Sequence, residues 1–223
     1  MRQLVLDIRP DAPPTLGNFV AGSNAELLAA LDGIRTLASH LYLWGPSGSG
    51  RTHLLRAAVA AAASADLPAI HIPAGDVGRE LPQTPDALLA VDDIHALDAA
   101  AQIALFNAFN RARGNRQTLL LAGEAPPLQL AVREDLRTRI GQCLVFELRP
   151  LDDEARAAIL RTLAERRGLR LAAEVTDFLL RHGRRDVASL LAVLDALDAA
   201  SLERKRAVTL PLLREMMQTG LEI

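Results

Sequence analysis

Hydrophobic and polar positions along the chain fall into two regimes that change at Pro150. Before it, short apolar runs alternate with stretches in which apolar residues recur every three or four positions. The runs at Leu41–Trp44, 69–72, 88–91, 118–122 and 144–148 predict strands. Helices are predicted over 25–37, where Leu27, Leu28, Leu31 and Ile34 share a face and Ser23 or Asn24 is placed to cap, and over Arg51–Ala63. A third is predicted over 98–113, with Ile103, Phe106, Ala108 and Phe109 on its apolar side. Strands that are apolar throughout and separated by helices imply a parallel sheet covered on both faces. The expected class is α/β, with a five-stranded doubly wound core.

After Pro150 the strand-like runs stop. Asp152 is placed to cap a helix over 154–167 that ends at Gly168, and helices are expected over 174–181, 187–202 and Leu210–Gln218. At the other end, Gln3-Leu4-Val5-Leu6-Asp7-Ile8 alternates, and Pro10, Pro13 and Pro14 follow it as a tether. The expected division is a peptide and tether at 1–12, an α/β domain at 13–150 and an all-helical unit at 151–223.

Composition narrows the partners. Half of the 223 residues are hydrophobic but only 3% are aromatic, so the core must be aliphatic. A formal charge of −2 carries no basic footprint for nucleic acid, and direct DNA binding is not expected. The single cysteine, Cys143, excludes an internal disulfide and is expected to be a small apolar side chain in a strand. The five histidines lack metal-ligand spacing. With neither a signal peptide nor an apolar run of roughly 18 residues, a cytoplasmic location and no membrane span are expected.

The strongest chemical signal is Gly45-Pro46-Ser47-Gly48-Ser49-Gly50-Arg51-Thr52, set between a predicted strand and a predicted helix. Glycines let the backbone turn so that its amides converge on phosphate oxygens, and the helix adds its N-terminal positive end. Thr52 is positioned to ligate Mg²⁺. Arg51 stands where lysine is usual. It keeps the charge and can fork onto two phosphate oxygens, but it is not the compact point charge that bridges the outer phosphates. Nucleotide binding is therefore expected and hydrolysis is not. Further along, the strand ending in Asp92 and Asp93 delivers an acid to the phosphate side: Asp92 toward Mg²⁺, Asp93 as the group that polarises water.

With these pieces in place the chain resembles the DnaA branch of the AAA+ ATPases. Leu16-Gly17-Asn18-Phe19-Val20-Ala21-Gly22-Ser23-Asn24 is similar to the branch's signature before its first helix, where the base lies, so Phe19 and Val20 join the nucleotide contacts. Val91-Asp92-Asp93-Ile94-His95 matches its second acidic motif. Within the branch the chain is most similar to short members that regulate replication initiation. The resemblance spans nearly the whole chain.

That resemblance implies further roles. In Asp135-Leu136-Arg137-Thr138-Arg139-Ile140, Arg139 takes the position of an arginine finger, which projects into a neighbouring subunit's nucleotide. Gln3, Leu4, Leu6 and Ile8 resemble the short peptide with which bacterial proteins dock onto the β sliding clamp; on the residues alone, an edge strand of the chain's own domain fits equally well. Two positions depart from the pattern. Ala122-Gly123-Glu124 stands where a polar sensor is usual, and Ala188 stands where the lid arginine is usual, leaving Arg184 or Arg185 as replacements. Both departures remove contacts to a terminal phosphate, so the ligand is expected to be ADP, or ATP that is turned over slowly if at all.

The expected function is regulatory. The protein docks on the sliding clamp, holds ADP (or ATP) with Mg²⁺ as a structural ligand, and offers Arg139 to ATP on DnaA so that DnaA's own site hydrolyses it. An autonomous ATPase of helicase-loader type is the alternative, against which Arg51, Ala122 and Ala188 count. A DNA-binding initiator ranks last, because the chain stops at Ile223 before a helix-turn-helix domain. Homo-oligomerisation stays open.

Overall fold

The computed structural model describes residues 13–34, 39–183, 187–204, 206–219 and 221. They form two compact units, one holding Pro13–Arg149 and the other the residues from Pro150 onward.

The first unit is built on a five-stranded sheet of β1 (Leu41–Trp44), β2 (Ala69–Pro73), β3 (Leu88–Asp92), β4 (Thr118–Gly123) and β5 (Leu144–Glu147). The spatial order is β2-β3-β4-β1-β5, and every pairing is parallel. Alternation along each strand sorts the core into two layers. Tyr42, Leu89, Val91, Leu119 and Leu121 face one layer, with Leu105, Ala108 and Phe109 of α3 (Ala99–Asn115) and Leu136 and Ile140 of α4 (Glu134–Gly141). Leu41, Leu43, Leu88, Ala90, Leu120 and Ala122 face the other, with Leu27 and Leu31 of α1 (Ala25–Asp32) and Leu54, Leu55 and Ala58 of α2 (Arg51–Ala63). The core is aliphatic because these small helical faces interdigitate with Leu and Val, and Tyr42 and Phe109 are its only buried aromatics among the described residues.

Three sequence expectations shift here. Helix α1 ends at Asp32 with Gly33 as its cap, and residues 35–37 of the expected helix lie outside the described residues. Ile103 is 43% exposed on α3, because the helix turns Ala101, Ala104, Leu105, Ala108 and Phe109 to the sheet instead. Strand β5 is a sheet edge with Leu144 and Val145 partly exposed, not a strand covered on both faces. Cys143 lies in the turn before it, packed against the first core layer.

The second unit holds α5 (Asp153–Arg166), α6 (Ala173–His182), α7 (Val187–Arg204) and α8 (Leu210–Gln218). Asp152 caps α5 by accepting from the amide of Ala155 at 2.7 Å, and Gly168 leaves the helix at φ +69°. Leu160, Val175, Leu179, Leu190, Val193, Leu194, Leu197, Leu212 and Leu213 make its core. The Arg156 guanidinium is fully buried, 3.0 Å from the Asp153 carboxylate and donating to the Leu180 carbonyl at 3.4 Å.

Candidate nucleotide site

Strand β1 lies between β4 and the edge strand β5, and its end runs directly into the glycine loop. The loop is tied down at its start: the amide of Gly45 donates to the Gly123 carbonyl at the end of β4, at 3.2 Å. The amide of Ser49 donates to the Pro46 carbonyl at 3.2 Å, closing a tight turn. Gly48 (φ +76°) and Gly50 (φ +99°) adopt backbone that side chains resist. A Cβ on Gly50 would also lie 2.8 Å from the Phe19 ring, and one on Gly45 would meet the Leu148 carbonyl at 2.6 Å.

Gly50 is the N-cap of α2, so no side chain caps the first-turn amides of Arg51 and Thr52. The hydroxyl of Ser49 is buried without a hydrogen-bond partner. Uncapped amides at a helix N-terminus beside a partnerless buried hydroxyl suit an anionic, phosphate-bearing ligand. Thr52, half-buried in that same turn, is the hydroxyl available for a divalent ion.

Arg51 departs from its expected role. Its side chain is only 8% exposed, and both terminal nitrogens are engaged within the protein. Nη1 donates to the Gly45 carbonyl and, at 3.1 Å, to the Gly123 carbonyl. Nη2 donates to Asp93 Oδ1 at 3.0 Å and lies 3.7 Å from a Glu124 carboxylate oxygen. The fork that the sequence suggested for phosphate is spent on main-chain carbonyls and on the acid at the end of β3. Arginine reaches these acceptors because its planar guanidinium presents several donors at once.

The two acids part company. Asp92 ends β3 at 3% exposure, with Oδ2 facing His71 Nε2 at 3.2 Å and Oδ1 accepting from the Asp93 amide at 3.0 Å. Asp93 takes a left-handed backbone (φ 51°) and turns a half-exposed carboxylate to Arg51. His95 stands close by, with Nε2 3.5 Å from Glu124 and Nδ1 4.0 Å from Asp93. At the expected sensor position, Ala122 is fully buried in the second core layer, while Glu124 reaches the cluster of Arg51 and His95. Sequence reasoning missed His71 and Tyr42, and it quoted His95 in the acidic motif without giving it a role. The Tyr42 hydroxyl donates to the Ala125 carbonyl at 2.6 Å, and burial pushes its phenol up, partly offset by the charge of Arg51. Only the alternation of β1 and β2, which points Tyr42 and His71 at definite faces, hinted at them.

Phe19 lies over the start of α2, with its ring 5.7 Å from that of His53, which also meets the Thr15 carbonyl at 3.2 Å. Val20 next to it is partly exposed. Asn24 makes no helix cap. Its amide instead donates to the Arg149 carbonyl at 3.0 Å and accepts from the Arg149 amide at 2.9 Å, which pins the chain beyond β5 beside this flap.

Arg139 is exposed on the last turn of α4, its Nη2 donating to Asn110 Oδ1 at 2.9 Å and its guanidinium carbon 6.0 Å from the Phe106 ring centre. Arg137 turns inward to the Val132 carbonyl at 2.9 Å. Gln3, Leu4, Leu6, Ile8, Arg184 and Arg185 lie outside the described residues, and Ala188 falls within α7. Among the described residues, no cluster of three or more His, Cys, Asp or Glu side chains suits a metal ion, and no helix is long and apolar enough to cross a membrane.

Residues 153–217 match the family described as "Hda, lid domain". Among solved structures, the chain is similar to the replication initiator DnaA bound to AMPPCP and single-stranded DNA, at 25% identity and a TM-score of 0.73, over 86% of this chain and 67% of that one. It is also similar to domain III of DnaA from Thermotoga maritima, at 22% identity and a TM-score of 0.79, over 96% of this chain and all of that one. A RuvB mutant from Thermotoga maritima follows at 18% identity and a TM-score of 0.71, over 95% and 76% of the two chains. The latter two likenesses show the fold alone, an AAA+ core with a helical lid.

Proposed function

The chain belongs to the Hda/DnaA-like AAA+ proteins, and from that premise we propose that it acts on DnaA by completing a catalytic site that DnaA itself holds. A DnaA-related replication regulator is the coarse statement that the lid match and the DnaA-like core support. The finer reading gives the glycine loop ADP as a structural ligand, with Phe19 and Val20 toward the base, the main-chain amides of residues 45–52 on the phosphates and Thr52 and Asp92 toward Mg²⁺. The ion would supply charge neutralisation between the phosphates. The peptide Gln3, Leu4, Leu6 and Ile8 would dock on the β sliding clamp.

The observation that carries the reading is Arg139. It sits on the last turn of a short helix, exposed, with one neutral hydrogen-bond partner in Asn110, so its charge is free to meet another subunit's nucleotide. An arginine supplied in this way neutralises charge developing on a transferred phosphoryl group and is worth roughly 10³–10⁵ in rate. The test is the Arg139→Ala variant mixed with the sliding clamp, DnaA and ATP. Stimulated phosphate release is expected to vanish while retention of a fluorescent ADP analogue and clamp binding persist. Stimulation at the parental rate would remove Arg139 from the mechanism.

A further inference from the structure

Four groups from separate parts of the site converge on one side chain. The Gly45 carbonyl opens the glycine loop, the Gly123 carbonyl ends β4, and Asp93 and Glu124 follow β3 and β4; all four turn toward the guanidinium of Arg51. Gly123 is doubly used, since its carbonyl also accepts from the Gly45 amide. A Cβ there would collide with the Tyr42 hydroxyl, so the residue at the end of β4 has no room for a side chain.

We propose that Arg51 is a latch and not a phosphate ligand: it locks Asp93 to the floor of the glycine loop and makes the site one that holds nucleotide without hydrolysing it. The inference rests on the nucleotide-holding role proposed above and supplies its physical basis. The Asp93 carboxylate lies 3.0 Å from the guanidinium of a side chain only 8% exposed, so its acceptor oxygen is engaged with Arg51 and is not free to orient a water. Lysine at this position would carry the same charge on a single nitrogen. The acceptors are divided between Nη1, which takes the two carbonyls, and Nη2, which takes Asp93, and one ammonium nitrogen cannot stand in both places, so Asp93 would be released. Hydrolysis would then become open to it: a water oxygen bonds to the terminal phosphorus as the bond from that phosphorus to the bridging oxygen breaks. ADP and phosphate leave, and the water proton passes to Asp93.

Two readouts on the full chain test this. The first uses nucleotide-stripped protein and needs no activity. Urea unfolding is measured for Arg51→Gln, Asp93→Asn and the double variant. Each single change is expected to raise the unfolding constant about tenfold or more, and the double variant to lie within about threefold of Arg51→Gln, the non-additivity expected of contacting groups. Losses that simply multiply overturn the latch. The second uses Arg51→Lys, which keeps the charge and the fold. Its ATP turnover is expected to exceed the parent's by at least about tenfold, and Asp93→Asn in the same background to abolish the gain. No gain in a folded, ATP-binding Arg51→Lys protein overturns the claim that Arg51 restrains Asp93. A protein that binds no fluorescent ADP analogue sinks the proposed ligand role instead, and the urea cycle is read independently of it.

Discussion

His71 Nε2 lies 3.2 Å from Oδ2 of Asp92, across the parallel pair of β2 and β3. The acid is nearly sealed from water, and its other oxygen is occupied by the Asp93 amide. His71 is therefore the side chain that orients the acid proposed to face Mg²⁺. Replacing His71 by Leu leaves a buried carboxylate with one donor fewer, at a cost of about 1–3 kcal/mol. Urea unfolding checks this, and the loss should shrink when Asp92→Asn is already present. Equal losses in both backgrounds would show that the two side chains do not interact.

Gly50→Ala places a Cβ at φ +99°, where the Phe19 ring stands in the way. Strained backbone of this kind costs on the order of 1–3 kcal/mol. Because the strain falls on the turn whose amides face the ligand, affinity for a fluorescent ADP analogue should drop at least about tenfold, equivalent to 1.4 kcal/mol. An alanine variant that binds as tightly as the parent would show that the left-handed turn is not what the ligand uses.

His40 contributes a pH dependence. Burial lowers its pKa below the usual 6.5, and in its neutral form Nδ1 accepts from the Leu119 amide at 3.1 Å. The unfolded chain therefore binds a proton that the folded chain resists. The stability linked to this histidine is complete above about 6.5 and is lost as pH falls toward the folded-state pKa. Melting temperature should decline between pH 7 and pH 5, and a His40→Gln variant should show a shallower decline over that window. Parallel pH profiles for the two proteins would remove His40 as the cause.

Cys143 should be chemically quiet. Burial pushes its thiol up to about 12, so at pH 8 the thiolate is only about one part in ten thousand. Labelling by a thiol-exchange reagent should be slow in the folded protein and complete within minutes in urea. Fast labelling without denaturant would contradict the packing of the turn before β5.

Much of the fold was legible along the chain because strand and helix periods are local. The runs at β1, β3 and β4 are apolar apart from Asp92 at the end of β3 and Thr118 at the start of β4, and a backbone buried on both faces needs little more than that pattern. The strand, glycine loop and helix around Gly45 to Thr52 are contiguous, so the phosphate cradle could be placed from sequence. The Asp152 cap and the Gly168 stop mark α5 for the same reason.

Sequence by itself determined the α/β class, the five strands, the helical second unit and the position of the loop, because each follows from backbone geometry within a few residues. Tertiary structure alone decided what the long side chains do. Arg51 meets carbonyls and carboxylates brought from the ends of β3 and β4, and Asn24 pins Arg149 from far along the chain. Ile103 stays outside because α3 rotates by its alanines, and β5 is open because it lies at the sheet's edge. A side chain's partner depends on which distant segments the crossovers bring together, and no local period records that.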